Sequence, residues 1–189
     1  MTYQVHNLRF PNAFGHVTLI GRAAWQPETS SGTNVRHLAP LLILLAVLAT
    51  AAPTRAQNAP DFIGNNTGFV EDTMRQVRAH LPKAKLSDGT NVPPETSAEL
   101  KTPILSLAEG KRVMNMGILT AHAQFCDLNW REAYAGFMRG ERAKRIWSEK
   151  QLAYIGLLHG ATQGNAHASL AGKGKCDAAL RNNVASSLK

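Results

Sequence analysis

From Gly68 to Leu188 apolar residues recur three and four positions apart, and no segment alternates apolar and polar residues convincingly. Val70, Met74, Val77 and Leu81 predict a first helix from about Gly68 to His80, stopped by Pro82. A second is expected to begin at Pro103 and run to about Phe125, with Leu107, Met114, Ile118, Ala121 and Phe125 on one face. Asn129 can cap a third helix, on which Trp130, Tyr134, Phe137 and Met138 form an aromatic-rich face. Ser148 and Gln151 make a capping box for a fourth, which carries Leu152, Ile155 and Leu158 to about Leu170. Gly172-Lys173-Gly174 breaks that helix, and a last one runs from Asp177 to near Leu188. Between the first two helices lies a loop with turn chemistry at Asp88-Gly89 and paired prolines at 93 and 94. The expected fold is all-α: one domain over residues 67–189, a small bundle of four to five helices.

A different pattern precedes it. From Pro40 to Ala52 every residue but Thr50 is apolar or small. The run is too short to span a bilayer, which takes roughly 20 residues, and has the length of a signal-peptide core. Thr54 and Ala56 stand where a signal peptidase reads small residues, so cleavage is expected between Ala56 and Gln57. Signal peptides lie at the extreme N-terminus, whereas this one begins near residue 35. Translation from a GTG codon at Val35 accounts for that and makes residues 1–34 an artefact; the alternative is a genuine extension. Residues 57–66 read as a loose tail. The chain is therefore expected to be exported, to periplasm or medium, with no transmembrane segment in its mature part.

Charge changes the picture little. Of the 21 Lys and Arg and 13 Asp and Glu, Arg9, Arg22, Arg36, Arg55 and Glu28 precede Gln57, which leaves the mature chain at +5. The densest basic run, Arg139 to Arg145, contains Glu141 and lacks interleaved aromatics, so it reads as a solvated helix face and no nucleic-acid partner is expected. Gly156, Gly160 and Gly164, spaced by four, would line one face of the fourth helix and let another backbone approach; Gly136 and Gly140 repeat the pattern.

The candidate chemistry centres on cysteine and histidine. In an oxidising compartment Cys126 and Cys176 are most simply one disulfide, closing 50 residues and worth about 3–4 kcal/mol. His122 and Cys126 are also one helical turn apart. With Cys176 and either His159 or His167 they could form a zinc site, which a disulfide would exclude. Haem held by Met114 or Met138 with a histidine is a remote variant. His159 falls on the inward face, as a core histidine or the centre of a hydrolase or lyase with Glu149, Asp127 or Ser148 as partner. No G-x-S-x-G elbow, P-loop, H-E-x-x-H or haem-attachment motif occurs. The expected function is binding, in an exported helical protein that interacts in the envelope under stress. A metal or haem bundle and a His159 enzyme are the alternatives. Four histidines in the mature chain, His80, His122, His159 and His167, would give it some charge response between pH 5 and 8.

Overall fold

A computed structural model describes residues 59–189. The expected extension, signal peptide and cleavage site between Ala56 and Gln57 lie outside them. Five α-helices follow in order: α1 (Thr67–Arg78), α2 (Leu107–Phe125), α3 (Trp130–Ala143), α4 (Glu149–Ala171) and α5 (Ala178–Ser187). Short 3-10 turns at Leu81–Lys83 and Glu99–Lys101 punctuate the long α1–α2 connection. Extended pairing among the described residues is confined to one bridge, Lys85 with Asn91. The fold is the all-α bundle expected from the periodicity.

Side-chain caps set the helix starts. Asn66, Asn129, Ser148 and Asp177 accept hydrogen bonds from backbone amides of the first turn, and Ser148 with Gln151 completes the capping box. The second helix differs from expectation. It starts at Leu107, not near Pro103, because Ser106 accepts from the Glu109 amide at 3.2 Å and ends the extended approach there. The C-terminus of α2 is a Schellman turn, in which the Leu128 amide reaches the Ala123 carbonyl at 2.8 Å and Asp127 takes a left-handed φ of 52°.

The core is organised around α2, whose residues from Val113 to Ala121 are all buried. Such a helix must be covered on every side, and α1, α3, α4 and α5 all pack against it. Its main partner is α4, and the two helices approach closely at Gly117. There an added Cβ would stand 2.8 Å from the His159 carbonyl oxygen and 3.0 Å from the Thr162 Cβ. Gly160 and Gly164 are exposed and have nothing among the described residues within 4 Å of a Cβ, so the close approach expected of the α4 glycines is not theirs. Gly156 meets side chains of α3, with the Tyr134 hydroxyl at 3.2 Å.

The peripheral segments are tied down by polar bonds. Asn115 of α2, buried, accepts from the Phe62 amide at 3.0 Å; Lys111 holds Asp61 at 2.7 Å, and Ile63 is buried. Residues 61–63, expected to be a loose tail, are therefore clamped to α2. Arg78 at the end of α1 grips both oxygens of Glu95 and also donates to the carbonyls of Glu99 and Thr102, which orders the α1–α2 connection. The Tyr154 hydroxyl of α4 donates to the Met74 carbonyl at 2.7 Å, and burial pushes its pKa up. The Cys126–Cys176 disulfide, with Cα atoms 5.2 Å apart, fastens the start of α5 to the end of α2. None of the described helices is long and apolar enough to cross a membrane.

One buried group is unsatisfied. Thr73 of α1 is 1% exposed and its hydroxyl has no hydrogen-bond partner among the described residues. Thr73→Val keeps the shape and removes a stranded polar atom, so it should raise stability by about 1 kcal/mol. A higher urea midpoint at unchanged slope is the expected reading; a lower midpoint would show that the hydroxyl is satisfied.

Candidate functional site: a groove beside α3 and the polar seam beneath it

The aromatic face of α3 divides the helix into two functional sides. Phe137 and Met138 are buried, Trp130 and Tyr134 half-buried, and the stripe continues to Glu141, which is 1% exposed. Beside that stripe the helix presents Ala133, Gly136 and Gly140, whose small side chains leave space. The result is a groove of about 650 Å³, open to solvent, between α2, α3 and the end of α5. Met116 and Leu119 of α2, Phe137, Leu128 and Leu188 form its apolar lining.

Three charged residues line the groove, and each is already paired. Glu132 and Arg139 bind one another at 2.8 Å on the rim. Glu141 accepts from the Arg112 guanidinium at 2.8 Å and from the Trp147 indole at 2.9 Å, and pairs with Lys144 at 3.1 Å. Burial alone would raise the Glu141 carboxyl, but hydrogen bonds and charge from Arg112 and then Lys144 outweigh it and hold the group below its ordinary range. Arg112 is fixed in turn by Glu109 at 2.8 Å and lies over the Phe137 ring, 5.5 Å from its centre. Glu141 was hidden in the basic run read as a solvated face. Its place seven residues after Tyr134 and four after Phe137, on the same helical stripe, is the signal that it points inward.

His159 lies behind the groove wall. It is 1% exposed; its Nε2 meets the Thr120 hydroxyl at 3.0 Å, and its ring packs on Tyr134 and Phe137 with centroids 4.6 and 5.7 Å away. Burial lowers its pKa to about 4, so it is neutral at pH 7. Glu149, Asp127 and Ser148 are not among its partners: Glu149 accepts from Ser87 and Ser148 caps α4. This is the core-histidine arrangement.

The proposed zinc ligands are not brought together. Cys126 and Cys176 are joined to each other, which removes both thiolates. His122 uses Nδ1 on the Ile118 carbonyl at 2.9 Å and stacks on Phe62, while His167 is half-buried further along α4. Among the described residues no three His, Cys, Asp or Glu side chains are placed to hold one metal ion. No family model, curated protein or solved structure matches the chain.

Proposed function

We propose that this chain is an exported helical binding protein and that the groove beside α3 takes an apolar stripe of a partner polypeptide. The carrying observation is an open apolar groove whose every charged lining residue is already neutralised by a neighbour. No bare charge is left to recognise an ionic ligand, and covering these pairs strands none of them. Apolar contact is therefore the available currency of recognition. The open side favours a peptide over an acyl chain. An amphipathic helix would bury its apolar stripe in the groove and keep its polar side wet, whereas an acyl chain would be left half in water. Export is supported by the apolar run before Gln57 and by the disulfide.

Gly136→Phe tests the groove. Among the described residues the only atom within 4 Å of an added Cβ there is the Arg139 guanidinium, at 3.7 Å, so a large side chain can enter the groove without disturbing the core. Loss of a helix-interior glycine also favours folding by up to about 1 kcal/mol. A fluorescent, neutral amphipathic peptide with leucines at helical spacing should bind the native protein saturably, and Gly136→Phe about tenfold or more weakly with no fall in thermal midpoint. Equal affinity for both proteins would sink the groove as the site. Binding of oleate or phosphatidylcholine vesicles without the peptide would replace the peptide with a lipid ligand.

A further inference from the structure

We propose that His159 is an acid-sensitive latch: protonation of its ring opens the seam holding α3 against α2 and α4, and exposes the apolar wall of the groove. The geometry that carries this is a three-layer contact. Phe137 lines the groove and packs against His159 behind it, while Tyr134 covers the same imidazole one turn earlier. Whatever disturbs the imidazole is transmitted to the groove wall through one ring.

The site is built for a neutral imidazole. Thr120 Oγ1 meets Nε2 at 3.0 Å and also lies within 3.1 Å of the Met116 carbonyl and 2.9 Å of the Gly117 carbonyl. A second ring proton enters a site that is 1% exposed and walled by the Tyr134 and Phe137 rings, where the charged form is poorly solvated. The groups facing the ring offer no counter-charge. From α2 there is Thr120; from α3 there are Tyr134, kept neutral by burial, and Phe137. The Arg112 cation lies over the Phe137 ring, with Glu141 and Glu109 already committed to it. α1 is bonded to α4 at Tyr154, near which Arg78 and Glu95 pair with each other. The aromatic faces attract a cation and offset part of the cost, but Arg112 already lies over the Phe137 ring.

The direction with pH follows from burial lowering the histidine from 6.5 to about 4. A group depressed in the folded state and ordinary in the opened one contributes its full share of stability above pH 6.5. That share is lost as pH falls from 6.5 towards 4. Across that window the ratio of opened to closed molecules should rise by up to about 300-fold. The Glu141 carboxyl is held below its ordinary range by Arg112 and Lys144, so its pairs stay charged through the upper part of that window.

The role of the exposed wall in capturing a partner rests on the groove being the binding surface; the opening itself is measured with no ligand. Dye binding to apolar surface and near-UV circular dichroism are followed from pH 7.5 to 3.5 in the full exported chain, its His159→Gln variant, and His122→Gln and His167→Gln as controls. Native protein and both controls should gain dye fluorescence between pH 6 and 4. His159→Gln should shift that midpoint down by about one pH unit or more. An unchanged midpoint in His159→Gln, or a native protein that stays closed to pH 4, overturns the latch. If His159→Gln is unfolded at pH 7, the His159 Cε1 proton of the native protein decides by NMR. Its protonation should coincide with broadening of the Phe137 and Tyr134 ring signals, and titration near pH 6.5 with those signals unchanged overturns the proposal. Gly136→Phe should retain the acid transition, so a failed peptide-binding experiment and a failed latch are separately visible.

Discussion

Gly117→Ala should destabilise the protein by about 1–3 kcal/mol, although alanine is the better helix former. Propensity alone favours the substitution by about 1 kcal/mol. Against it, the new methyl carbon would stand 2.8 Å from the His159 carbonyl oxygen and 3.0 Å from the Thr162 Cβ, both on α4. One of these is backbone, which no rotamer change can move, so the α2–α4 seam must part, and overpacking of this kind costs about 1–3 kcal/mol or more. Gly117→Leu should fail to reach the native packing at all. The control is a reversal of sign on the facing helix. Gly160→Ala and Gly164→Ala enter open space and should each be neutral or stabilising by up to about 1 kcal/mol. Urea midpoints for the alanine variants check the set; a Gly117→Ala protein as stable as the native one would show that the two helices are not in contact at that point.

The contrast between these glycines shows what was legible in the chain and why. Four-residue spacing of Gly156, Gly160 and Gly164 is a visible pattern, but spacing reports only a shared face, not whether anything covers it. The glycine that matters, Gly117, has no glycine three or four positions away. Its signal is the uncharged run Val113 to Ala121, which forms a helix buried all round and therefore central. Caps at Asn129 and Ser148 were readable because a side-chain oxygen three residues before an amide is a local arrangement. Asp127 and Arg145 end their helices in the left-handed region without the glycine that ordinarily marks such ends. Residues 61–63 looked loose for a related reason. Their anchors, Lys111 and Asn115, lie some fifty residues away in sequence, and no local rule reports them.

The site was legible in part, and the division has a physical cause. His159 could be placed inward from its spacing to Leu152 and Ile155, because periodicity carries burial. The space beside α3 is a property of what does not fill it. Ala133, Gly136 and Gly140 are unremarkable until α2 and α5 are in position around them. Glu141 fell between the two cases. The charge pattern of the run from Arg139 to Arg145 argued for solvent, while its register with Phe137 argued for the core. The register prevails because Arg112 and Trp147, neither visible from the run itself, supply its hydrogen bonds.

Breaking the Cys126–Cys176 bond should cost about 3–4 kcal/mol, more than Gly117→Ala. The bond closes a loop of 50 residues that contains α3, α4 and the α3–α4 connection, so the unfolded chain gains much freedom when it is cut. In the native state α5 is otherwise held by its buried Val184, by the half-buried Leu180 and Leu188 packed on the core, and by Arg181, which donates to the Cys126 carbonyl. Cys126→Ser with Cys176→Ser should therefore lower the thermal midpoint by about 10–20 °C and let α5 exchange its amides well before the rest of the bundle. Because the end of α5 closes one side of the groove through Leu188, the same change should weaken peptide binding even where α2, α3 and α4 remain folded. Protein recovered from its own envelope fraction should begin at Gln57 and take up thiol reagent only after reduction. Free thiols on the native chain, or a midpoint unmoved by the double serine variant, would mean that the two cysteines do not staple the fold.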